Sequence, residues 1–71
     1  MESTLARWIE SNNVTRAEFA EMAGLSKIYV NEVCRLRKWP RQQVFLRILK
    51  VTRGEVTPTD HLLDMQRAGL V

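Results

Sequence analysis

Residues 16–35, RAEFAEMAGLSKIYVNEVCR, place apolar, small and polar side chains at the spacing of two short helices that cross through a tight turn. Phe19, Ala23, Leu25, Val30 and Val33 form an inward set, and Ala20 is small where the two backbones meet. Gly24 supplies the bend, because a residue without a β-carbon closes a helix in the left-handed region with no steric penalty. Both helix starts carry their own marks. Thr15 with Glu18 three residues later spells a capping box, and Val14 and Phe19 stand at the spacing of a hydrophobic staple around it. Ser26 is placed to cap the second helix, with Leu25 and Val30 flanking it in the same way. The spacing predicts helix starts near Arg16 and Lys27.

Helical periodicity turns Ser26, Lys27, Ile28, Asn31, Glu32 and Arg35 away from Val30 and Val33. This is the layout of a helix-turn-helix, whose second helix enters the major groove and reads base edges. Lysine and arginine favour guanine acceptors, asparagine can pair with adenine through two bonds, and an isoleucine suits a thymine methyl. Lys27, Ile28, Asn31, Glu32 and Arg35 are therefore the candidate base-reading residues. Glu32 is repelled by phosphates, so it either accepts from cytosine or holds Arg35 in position. Ser26 and the amides at the start of the second motif helix, with Thr15 and Arg16 at the first, are expected to receive phosphate oxygens. Tyr29 packs at the edge or touches a phosphate. On an arbitrary helix, Lys27 and Asn31 would be ordinary solvated residues; their register in the motif is what argues for reading.

The charge distribution points the same way. Residues 26–53 hold eight basic residues against Glu32 alone, a net of +7, while the remainder holds Arg7, Arg16 and Arg67 against seven acids, a net of −4; together these make the overall +3. Such polarity attracts a polyanion to one side and repels it from the other, which orients the approach. A solvated basic face is the alternative. The cluster begins inside the recognition helix and continues past its end, so Arg37, Lys38 and Arg41 are expected along the DNA backbone.

Seventy-one residues suffice for one domain, which buries only about 60% of its unfolded surface. No run approaches the roughly 20 apolar residues of a membrane span. The N-terminal stretch MESTLARWIE lacks the basic start and apolar core of a secretory signal, and the single cysteine, Cys34, can form no internal disulfide; both fit a cytoplasmic protein. A first helix is expected over about Ser3 to Asn12, where Leu5, Trp8 and Ile9 repeat at helical spacing. The recognition helix should close near Leu36 to Lys38, ahead of Trp39-Pro40, and Pro40 suits the first turn of a fourth helix with Val44, Phe45, Ile48 and Leu49 as its apolar stripe. Thr57, Pro58 and Asp60 then open a fifth helix within residues 57–68. Its Leu62, Leu63 and Met65 either cover the core or meet the same helix of a second subunit. The expected fold is all-α: a compact five-helix bundle, residues 1–71, containing a helix-turn-helix.

With these residues in place, the chain resembles the Cro and lambda-type repressor family of phage and bacterial regulators (Xre-like). Besides the core motif, VFLRILKVTRGEVTPTDHL resembles the ending of the small Cro-like or YdaS-like group, through Gly54, Val56, Thr57, Asp60 and Leu62. The resemblance implies a lambda repressor-like DNA-binding domain, acting in the cytoplasm at the nucleoid as a homodimer. Its partner would be double-stranded DNA, held at a palindromic operator in a transcription-regulating, repressor role. Many relatives carry a glycine after the recognition helix, whereas this chain has RLRKWPR. That segment either lengthens the third helix or lays Arg37, Lys38 and Arg41 along the DNA.

Other chemistries find little support. Cys34 and His61 lie 27 residues apart, and structural zinc usually takes four such ligands, so no metal or other cofactor is expected and His61 reads as a surface or interface residue. No nucleophile and base stand in a recognisable arrangement and no glycine-rich phosphate loop is present, so neither enzymatic activity nor a small-molecule ligand is expected. Trp8 and Trp39 read as core or core-edge residues. The competing function is a protein-interaction module, an antitoxin or an adaptor for polymerase or another regulator, that docks through Leu62, Leu63 and Met65 and binds DNA weakly or architecturally.

Overall fold

A computed structural model describes residues 3–70 as five helices: α1 (Thr4–Ser11), α2 (Arg16–Ala23), α3 (Lys27–Cys34), α4 (Gln42–Thr52) and α5 (Pro58–Arg67). The described residues contain no strand. Local chemistry sets most of the starts. Ser3, Thr15, Ser26 and Thr57 each accept a hydrogen bond on the side-chain oxygen from the amide three residues on, and Thr15 with Glu18 and Thr57 with Asp60 close full capping boxes. Only α4 begins without such a bond, at Arg41.

The ends share one device. An amide bonds back five residues at Val14, Leu25, Arg37, Gly54 and Leu70, and the residue just before each of them, Asn13, Gly24, Leu36, Arg53 or Gly69, has positive φ. At Gly24, φ is +68°, and a β-carbon would sit 3.3 Å from Arg47 Nη1, which itself donates to the Gly24 carbonyl at 3.1 Å. The bend expected there is the bend found.

Leu36 departs from expectation. It takes φ +60°, so α3 stops at Cys34, two to four residues before the predicted end, and RLRKWPR does not lengthen the helix. Left-handed backbone costs a residue with a β-carbon about 1–2 kcal/mol. Leu36 is nonetheless buried, and burying a leucine side chain stabilises by about 1.5–3 kcal/mol, so packing offsets the strain. Pro40 is also buried and lies outside α4, which starts two residues later than expected.

Phe19 is wholly buried at the centre, edge-on to Trp8 at 5.7 Å, among Leu5 and Ile9 of α1, Val30 and Val33 of α3, and Ile48 of α4. Thr52 joins α4 to the next turn, donating to the Ile48 carbonyl at 2.7 Å and accepting from the Val56 amide at 3.2 Å. The side of α5 that packs inward is polar. Asp64 is buried and accepts from the Thr4 amide at 2.7 Å and from the Thr4 hydroxyl at 3.1 Å, which ties α5 to the start of α1. His61 is buried too, which corrects its reading as a surface residue: its ring stands edge-on to Trp39 and Phe45 at 5.3 and 5.9 Å.

Candidate nucleic-acid interface

The outward side of α3 is built by the helix period. Val30, Val33 and Cys34 face the core, which leaves Lys27, Ile28 and Arg35 exposed and Asn31 and Glu32 half-buried on the flanks. Ile28 is 75% exposed, more than any other large apolar side chain among the described residues. Arg35 is the capping residue at the end of α3, one turn beyond Asn31 and Glu32 on the same side. Glu32 forms no ion pair with Arg35, so of its two expected roles the holding of Arg35 is not realised.

Toward α2, the side chains of Arg16 and Asn31 meet: Nη1 donates to Asn31 Oδ1 at 2.7 Å. Arg16 thus spends one of its donors inside the protein. Thr15 and Ser26 use their hydroxyl oxygens to accept from their own helices, at 3.0 Å each, which leaves each hydroxyl proton available to donate. The Thr15 amide is bonded to Glu18 Oε1 at 2.9 Å, so a carboxylate already occupies the positive end of α2.

On the other flank, residues 35–41 carry Arg35, Arg37, Lys38 and Arg41, all exposed. Lys38 Nζ lies 4.9 Å from the centre of the Tyr29 ring, a cation–π contact that keeps the charge beside α3. Tyr29, Lys38, Trp39, Arg41 and Val44 line an open cleft of about 330 Å³. His61 braces this loop from behind. The Lys38 carbonyl can only accept, so His61 Nε2, 3.1 Å away, carries the proton and donates. Burial holds the His61 pKa below the ordinary 6.5, outweighing the hydrogen bond to Lys38 and the nearby Asp64 carboxylate, which both act in the opposite direction.

The far side of α5 carries Thr59, Leu62, Leu63 and Gln66, spaced as one helical face and free of charge. Leu62 is 47% exposed and Leu63 40%, whereas Met65 is half-buried. The two leucines therefore do not cover the core. Sequence reasoning missed three features: the Arg16–Asn31 bond, the His61 brace and the Asp64 tie. The first joins residues fifteen apart, and the other two reverse the usual pattern of an amphipathic helix, with polar groups in and leucines out.

The described residues hold no group of acidic, histidine and cysteine side chains arranged for a metal, and no helix among them is long and apolar enough to cross a membrane. A model of the helix-turn-helix family matches residues 5–60. No curated protein and no solved structure matches the chain.

Proposed function

The chain belongs to the helix-turn-helix family of Cro/C1 type, a family of DNA-binding regulators, and on that premise we propose that it is a Cro-like repressor reading a palindromic operator as a homodimer. The observation that carries this reading is the α3 face: a protruding Ile28 between Lys27 and Arg35, continued by the basic loop 35–41. A major groove admits one helix, and side chains near its start reach base edges. Lys27, Ile28, Asn31, Glu32 and Arg35 take the base-reading roles, with Glu32 accepting from cytosine. Ser26, Thr15, Tyr29, Arg37, Lys38 and Arg41, with the remaining donors of Arg16, take phosphates and set the register. The start of α4, uncapped by any side chain, adds free amides beside Arg41.

The charge-free α5 face supports pairing of two copies through Leu62 and Leu63, with Met65 at the margin. Adjacent half-sites lie about 34 Å apart centre to centre, and a domain whose longest extent is 30 Å leaves room for a twofold mate at that spacing. The protein would then work inside the cell, on the nucleoid, with no cofactor and no catalytic role.

Selection from randomised duplexes at a fixed salt concentration tests the reading. Enriched sites with twofold symmetry are expected. Enrichment without symmetry would remove the homodimer on DNA. No enrichment, with a salt-insensitive complex to another protein through Leu62 and Leu63, would replace the regulator with an adaptor.

A further inference from the structure

Arg16 stands at the first position of α2, where the helix dipole disfavours a cation. It is held there, half-buried, by the 2.7 Å bond to Asn31, short enough to be charge-assisted. A guanidinium has donors only, so the atom of Asn31 facing it is the oxygen, and the amide nitrogen is turned the other way. Among the described residues that nitrogen donates to nothing, and no buried side-chain nitrogen or oxygen there lacks a partner; Asn31 Nδ2 is therefore open to solvent. The pair presents donors outward: two N–H groups from Asn31, with those of Arg16 not spent on Oδ1 beside them.

Adenine offers the major groove one acceptor and one donor, and an asparagine reads both only by aiming its oxygen and its nitrogen at the base together. Guanine offers two acceptors, N7 and O6. We propose that Arg16 makes Asn31 a donor-only reader, so that the base facing Asn31 is guanine and not adenine, and that Arg16 is a specificity-positioning residue. The inference rests on the α3 reading above and replaces the adenine pairing that asparagine alone would suggest. An adenine at that position meets a donor with its own amino group, which leaves two donors in conflict at the base edge.

Selection from randomised duplexes with four proteins tests it: the wild type, Asn31→Ala, Arg16→Ala and Arg16→Met, which keeps much of the aliphatic stem without the donors. Asn31→Ala identifies the base position by losing preference there. At that position the wild type is expected to favour guanine over adenine by about fivefold or more, the lower range for a two-bond base contact. Arg16→Ala and Arg16→Met free the Asn31 oxygen and are expected to move the preference at that one position toward adenine, while the lost phosphate contact of Arg16 lowers affinity evenly across sequences. Adenine in the wild-type site overturns the proposal, as does an unchanged guanine in both Arg16 variants or an Asn31→Ala variant that alters no position. Absence of any enriched site would instead strike the reading of α3 itself, a separate and recognisable result.

Discussion

Asp64 and Asn31 make an instructive pair, because each is a polar side chain that reaches across to the first turn of a neighbouring helix. Asp64, on α5, accepts from the amide and the hydroxyl of Thr4 and is sealed from water. Asn31, on α3, accepts from Arg16 and keeps its nitrogen in solvent. The first has both oxygens engaged within the fold; the second has half its capacity left over. A buried polar group with every partner in place contributes to stability, whereas one held in a fixed pose with capacity to spare is available to a ligand. The same contrast separates the α1–α5 side, closed by internal bonds, from the α2–α3 side, where the cations face outward.

The sharpest test of the contrast is removal of its structural pole. Two hydrogen bonds to an ionised group are worth about 1.5–3 kcal/mol each, so Asp64→Ala should lower the free energy of unfolding by about 3 kcal/mol or more in urea titration. The neighbouring Arg7 and Arg67 are more than half exposed and lie 4.0 and 3.7 Å from the carboxylate, so their ion pairs add little. A loss below 1 kcal/mol, on the order of a surface change, would break the comparison.

Removal of the other pole should do the reverse. Asn31→Ala removes one partly exposed bond to Arg16, which can turn to water, and is expected to cost no more than about 1.5 kcal/mol of stability while weakening the preferred duplex by about 1–3 kcal/mol and a scrambled duplex far less. Equal weakening on both sequences would move Asn31 out of the reading set. Lys38 tests the boundary between the two sides. Lys38→Ala should reduce the slope of log affinity against log salt by about 0.9, one phosphate contact, on any sequence. An unchanged slope places Lys38 off the DNA.

The smallest effect concerns pH. Because folding lowers the pKa of His61, the unfolded chain takes up its proton first as pH falls below 6.5. The stability contributed by neutral His61 is thus complete above that value and is lost as pH drops through the folded-state pKa. Urea midpoints measured between about pH 7.5 and pH 5 should decline for the wild type and stay flatter for His61→Gln, whose amide can still donate to Lys38. Parallel curves would remove His61 from the account.

Much of the fold is written locally. Thr15, Ser26 and Thr57 announce helix starts because capping involves only the next three residues, and Gly24 announces the turn because its backbone angle excludes most alternatives. Leu36 gives no such notice. Nothing in RLRKWPR tells that a leucine closes α3 in the left-handed region, since the packing that offsets its strain comes from elsewhere in the chain. The α5 helix is harder still, because Leu62 and Leu63 read as core while His61 and Asp64 occupy the inner side. Of the interface, the outward set on α3 follows from the period alone. The state of each side chain does not: that Asn31 keeps only its nitrogen free depends on Arg16, one helix away.

Trp39 has a practical consequence. The indole is 50% exposed in the cleft beside Lys38 and Arg41, braced edge-on by Phe45 and His61, while Trp8 is bonded through Nε1 to Glu55 on α1's side of the molecule. The protein thus carries its own optical gauge, one emitter beside the cationic loop and a second anchored apart from it. Titration with unlabelled duplex should perturb the emission of the first, and a Trp8→Phe variant would leave that signal alone in the spectrum.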